Sequence, residues 1–180
     1  MTETLALYHA LQDFVGFTAA DAANLRELAP LFARHGAALT DAFYARLAAN
    51  PETAAIIAGR VDALKQTHAT WLAQLFAGPH DERYFDDRWR IGLVHVRVGV
   101  KPWWVEAVAS FLRAEGVLVI ERELADPARR AACACSLLRV LDLDVMIINL
   151  AYGDERLARL SEFTGMSRKL IERCVVQRRA

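Results

Sequence analysis

The chain contains no Asn-Gly or Asp-Gly pair, and so lacks the strongest short-range signal for a β-hairpin. It has three cysteines, Cys133, Cys135 and Cys174, an odd number without C-x-x-C spacing. That excludes a disulfide framework and a thiolate zinc site, and makes a reducing cytoplasm the expected compartment. Net charge is also missing, since 22 basic residues balance 22 acidic ones. No overall field therefore draws the molecule to nucleic acid or to an anionic membrane. The strongest apolar stretch, residues 137–151, is short for a bilayer span and carries Asp142 and Asp144, so it reads as a buried helix. The start, Met1-Thr-Glu-Thr, lacks the basic flank and apolar run of a signal peptide. There is no internal repeat and no G-x-G-x-x-G nucleotide fingerprint.

What remains is a composition that is 54% hydrophobic and 24% charged over 180 residues, which excludes disorder. A chain of this length forms one domain and buries roughly 70% of the surface that its unfolded form exposes. Alanine-rich segments between prolines favour helix. Thr18 with Asp21 offers a capping arrangement, Asn50-Pro51 and Asp126-Pro127 each set a capping side chain before a proline, and Gly78-Pro79 reads as a stop. These marks predict helices near residues 3–14, 18–28, 31–49, 51–77, 81–98, 103–124, 127–158 and 166–177. In Ile91-Gly-Leu-Val-His-Val-Arg-Val-Gly-Val100 the valines alternate, and propensity alone makes this a strand. No second strand of similar quality exists to satisfy its backbone, so the segment is read as helical and the fold class as all-α.

Apolar residues over 103–120 and 137–150 cover more than the single stripe that one core requires. Either these helices meet a second copy of the chain, or they are central helices enclosed by their own domain; the dimer is the preferred expectation.

Of the five histidines, His95 stands apart. Val94, Val96 and Val98 surround it, no carboxylate adjoins it, and Gly92 and Gly99 would let something bulky approach. A neutral imidazole in such surroundings suits iron. A core histidine satisfies the same spacing.

Phe43-Tyr44 with Leu47, then Leu64-x-x-Thr67 and Trp71-Leu-Ala-Gln-Leu-Phe76-Ala-Gly78, then Tyr84, Ile91-Gly92-x-x-His95-x-x-x-Gly99 and Pro102-Trp103 together resemble the sensor domain of the globin-coupled sensors, the lineage that includes the protoglobins. The likeness runs from about residue 18 to 150. It implies a globin fold around haem b (iron protoporphyrin IX), with an extra N-terminal helix over 1–17, a sensor globin domain over 18–158, and a helical tail or linker stub over 159–180.

The resemblance further makes His95 the proximal iron ligand. It makes Tyr44 a distal phenol that donates a hydrogen bond to an oxygen ligand, while carbon monoxide gains little from such a donor. Leu64, Thr67, His68 and Trp71 follow i, i+3, i+4, i+7 spacing and share a face expected to overlie the haem. Leu64 and Thr67 would control ligand access and add a second hydrogen bond. His68 either reaches the iron as a sixth ligand or points sideways into a polar network, the latter being the expectation. Phe43, Val98, Trp104 and Val105 are candidate walls for the porphyrin, with plain core as the alternative at these spacings.

The charged segment Asp81-Glu-Arg, Asp86-Asp87 and Arg88-x-Arg90 is expected to be a solvated face, with nothing to select which basic residue would meet a propionate. Cys133 and Cys135 are expected to be buried and inert. The basic end beginning at Arg168-Lys-Leu-Ile could be a dimer helix, a linker stub or a surface patch. The function implied is a cytoplasmic, homodimeric sensor of oxygen, with carbon monoxide and nitric oxide as further ligands. It would signal to an output domain not found in this sequence, or to a separate partner. A globin enzyme that removes nitric oxide or acts as a peroxidase, a gas-binding globin without signalling, and a haem-free interaction domain are the competing readings. The first of these would need electrons from elsewhere.

Overall fold

The computed structural model describes residues 3–176. Eight helices and no strand occur among the described residues: α1 (Glu3–Val15), α2 (Ala19–Ala49), α3 (Pro51–Ile57), α4 (Val61–Ala77), α5 (Glu82–Val98), α6 (Pro102–Glu123), α7 (Pro127–Thr164) and α8 (Arg168–Val176). The all-α expectation holds, and residues 91–98 are helical. The valine alternation there is compatible with helix because α5 buries only one face, against α7. Residue 177, the expected end of the last helix, lies outside the described residues.

Two boundaries differ from expectation. Residues 18–28 and 31–49 are one helix, with Pro30 inside α2. A mid-helix proline removes one backbone bond and crowds the carbonyl four residues back, at a cost of about 3 kcal/mol. Leu25, Leu28, Leu31 and Phe32 are all buried on either side of it, and this burial offsets that cost. Conversely, the segment expected as one helix over 51–77 breaks between α3 and α4. There Gly59 takes φ +71°, a left-handed conformation that favours glycine. α7 also runs beyond residue 158 to Thr164, and ends at Gly165 with φ 71°.

The proline-headed helices start as read. The Asn50 side chain accepts from the backbone N–H of Glu52 and Thr53 at 3.0 and 3.3 Å, and Asp126 accepts from Ala128 at 3.0 Å. The backbone N–H and hydroxyl of Thr18 both donate to Asp21 Oδ2, at 2.8 and 3.0 Å.

α7 is the central helix, packed against α5, α6 and α2, while α4 packs chiefly on α2. Leu137, Val140, Leu141, Leu143, Val145, Ile147 and Ile148 are buried within the chain itself. The all-round apolar character of α7 is thus accounted for without a second copy. α6 differs, leaving Trp103 and Leu118 each 58% exposed. No helix among the described residues is long and apolar enough to cross a membrane. Cys133 is buried as expected, but Cys135 is exposed, because it sits two residues along the helix on another face.

Candidate functional site

A cavity of about 690 Å³ opens between α2 and α4 on one side and α5 and α7 on the other, with α6 along its edge. Its size lies within the range of small-molecule and cofactor sites. All nine residues singled out in the sequence line it: Phe43 and Tyr44 from α2, Leu64, Thr67 and His68 from α4, His95 and Val98 from α5, and Trp104 and Val105 from α6. Residues from four separate helices therefore converge on one space.

α5 carries the first wall. Asp81 caps it by accepting from the N–H of Arg83 and Tyr84 at 3.1 and 3.2 Å, and Gly99 ends it in the left-handed conformation. Ile91, Val94, His95 and Val98 recur at helical spacing and face the cavity together. His95 has no hydrogen-bond partner among the described residues, and its Nδ1 is buried. Burial lowers its pKa from 6.5 to about 4, so the imidazole is neutral and retains a lone pair.

Of the two motif glycines expected to admit something bulky, only Gly92 does. The bulky neighbour at Gly92 is α7, since a Cβ there would lie 2.6 Å from Ala151 Cβ. Gly99 has open space around it and serves as the helix stop.

The opposite wall comes from α4 and α2. His68 Nδ1 lies 3.0 Å from Thr40 Oγ1, whereas its Nε2 is buried without a partner. Burial lowers the His68 pKa to about 4 as well. Its ring lies 4.9 Å from that of Phe43 and 5.1 Å from that of Trp71, centroid to centroid. Tyr44 stands edge-on to His68 at 6.2 Å and 89°. The Tyr44 hydroxyl makes no hydrogen bond within the described chain, and burial pushes its pKa up to about 12, keeping the phenol proton in place. The Thr67 hydroxyl donates to Ala63 O at 3.1 Å, so in this rotamer its proton is turned onto its own helix.

The sequence reading missed a buried polar cluster at the cavity floor. Arg88, expected on a solvated face, is fully buried and pairs with buried Asp144 through Nε at 3.2 Å to both carboxylate oxygens. Tyr84 also donates to Asp144, and Trp71 Nε1 donates to it at 2.7 Å. Arg88 Nη1 donates to Gln74 Oε1 at 2.6 Å. Tyr84 and Arg88 fall at i, i+4 on one stripe of α5, a signal that could have marked them as inward-facing. Asp87 and Arg90 remain near the surface, paired at 3.1 Å. Arg60 and Arg90 are the cationic side chains on the lining that stay exposed.

An apolar slot with two neutral imidazoles and one unpartnered phenol is suited to a flat apolar group carrying a metal. Buried ring nitrogens without partners are costly unless something engages them. The residues present therefore fit haem.

Residues 5–158 match the protoglobin family. The globin domain of the Geobacter sulfurreducens globin-coupled sensor is 32% identical, with a TM-score of 0.77 over 80% of this chain and 96% of that one. The globin domain of Escherichia coli DosC is 17% identical in both its ferric and ferrous forms. The TM-scores are 0.69 and 0.68, over 80% and 79% of this chain and 98% and 97% of those chains, a likeness of fold alone. The match over residues 5–158 makes this chain a member of the protoglobin family, whose globin fold implies haem binding.

Proposed function

We propose that the chain is a haem-based sensor of a diatomic gas, with oxygen as its first ligand. The observation that carries this reading is the pairing, on opposite walls of one apolar cavity, of the unpartnered neutral imidazole of His95 with the unpartnered phenol of Tyr44. His95 would hold the iron, and Arg60 and Arg90 would take the propionates at the exposed rim. Haem bound there supplies an iron with an open position for a gas. No cysteine lines the cavity, which favours haem b held without covalent attachment.

Tyr44 keeps its proton and would donate a hydrogen bond to an oxygen ligand, a contact from which carbon monoxide would gain little. Leu64 crowds the same space, and Thr67 can join Tyr44 only after its hydroxyl turns from Ala63. A shift of His95 is carried by α5 to α7, on which it packs. The exposed Trp103 and Leu118 of α6 supply a surface for a second copy of the chain and thus for output.

The test is the absorption spectrum of the purified ferrous protein, deoxygenated and then with oxygen and with carbon monoxide. A band near about 400 nm that shifts with each gas and is lost in His95→Ala is expected. Pigment retained in His95→Ala, or no tetrapyrrole uptake at all, overturns the reading.

One observation favours a second coordination state, contrary to the expectation that His68 only points into a polar network. Its Nδ1 is held by Thr40 while Nε2 is left free, the arrangement that orients a histidine toward a metal. In this state His68 would hold the metal as well, and a gas would have to displace it. Split low-spin visible bands in the gas-free ferrous protein, lost in His68→Leu, are the expected signature; a five-coordinate spectrum rules it out.

A further inference from the structure

The two walls of the cavity are held by different neighbours, α4 by α2 and α5 by α7. Among the described residues, every hydrogen bond from α4 to α5 or α7 belongs to one cluster. These are Trp71 Nε1 to Asp144 at 2.7 Å, Arg88 Nη1 to Gln74 at 2.6 Å, and Arg88 Nη2 to the Trp71 carbonyl at 3.4 Å. Asp144 and Arg88 are both essentially without exposure. We propose that Asp144 is a positioning residue that ties the distal wall to the proximal helix, through Trp71 on one side and Arg88 on the other, and so sets the room available to a gas.

The geometry gives this tie two ends of functional consequence. The Trp71 indole lies against His68, with ring centroids 5.1 Å apart, so the bond to Asp144 fixes the face on which His68 rests. Arg88 lies two turns before His95 on α5, so the same carboxylate anchors the helix that carries the iron ligand. A buried carboxylate that accepts from three side chains on two helices has no slack. Displacing any donor leaves charge unmatched in a place where water does not replace it. The tie is therefore an element with two discrete states, made or broken, as coupling between sites requires. It rests on the haem reading above for the meaning of the gap, and on the cluster alone for the tie itself.

Trp71→Phe removes the donated bond while keeping a ring against His68, and Asp144→Asn keeps the size of the acceptor while removing its charge. Each is made in the full chain and loaded with haem, and carbon monoxide rebinding after a light flash is recorded together with the carbonmonoxy spectrum. Rebinding faster by roughly three- to tenfold is expected in both. The double variant should be no faster than the more affected single one, because both act through the same tie. Asp142→Asn, two residues away on α7 and ion-paired with Arg113, should match the parent. Parent-like rates in both single variants, or effects that multiply in the double, overturn the proposal. If the parent takes up no haem, the haem reading fails by itself, and amide exchange on the cofactor-free variants decides the tie. Faster exchange along both α4 and α5 supports it, and a change confined to one helix overturns it.

Discussion

Gly92 lies so close to Ala151 that a Cβ on it would meet the alanine methyl at 2.6 Å and the Ile148 carbonyl oxygen at 2.9 Å. The glycine of the Ile-Gly-x-x-His segment is therefore a point of close approach between α5 and α7, three residues from His95 on the same helix.

Gly92→Ala should consequently act from a distance on His95, the proposed iron ligand. Helix propensity alone favours alanine by about 1 kcal/mol, but a clash with backbone cannot be relieved by turning a side chain, and overpacking costs about 1–3 kcal/mol. Net destabilisation in urea unfolding, together with a shifted ferrous spectrum, is expected. A variant as stable as the parent with an unchanged spectrum would contradict this.

Tyr44→Phe should speed oxygen release while leaving carbon monoxide release nearly unchanged. A hydrogen bond to a charged acceptor contributes about 1.5–3 kcal/mol, roughly a ten- to hundredfold change in affinity. Stopped-flow release of both gases checks it. An equal effect on the two would mean that Tyr44 acts by bulk alone.

Asp144→Ala should cost about 3–5 kcal/mol, because it leaves the Arg88 charge buried and unmatched. Asp142→Ala removes an ion pair whose partners are 43% and 24% exposed, and should cost no more than about 1 kcal/mol. Urea unfolding of both, side by side, separates a buried pair from a surface one.

Acid should weaken the haem-free fold over a defined window. His68 and His95 have their pKa lowered from 6.5 to about 4 by burial. Above pH 6.5 both states are neutral; between 6.5 and 4 the unfolded chain binds protons that the folded one refuses, so stability falls as pH falls. Below about 4 their contribution levels off. Thermal unfolding across this range should show that slope, and His68→Gln and His95→Gln should each reduce it. A slope untouched by either substitution would assign it to other groups.

One wall of the cavity was legible because its residues recur at helical spacing, and the other residues through the family resemblance. Leu64, Thr67, His68 and Trp71 share one face of α4 whatever it packs against, and a histidine among valines on α5 has few polar uses. The break at Gly59 was hidden by the helical pattern on both sides of it. The continuity through Pro30 was hidden by the opposite cause, a strong local signal outweighed by the burial of its neighbours.

The sequence by itself determined the helical class, the helix starts at Asn50 and Asp126, and the shared face of Leu64, Thr67, His68 and Trp71, because caps and periodicity are properties of neighbours along the chain; Phe43, Tyr44, Val98, Trp104 and Val105 were reached through the family resemblance. Only the tertiary structure decided that Arg88 and Asp144 are buried partners, that Gly92 receives α7, and that His68 is held by Thr40 with one nitrogen free. Those outcomes depend on which helix comes to lie over which, and a charged residue reads the same in sequence whether water or a carboxylate across the core will meet it.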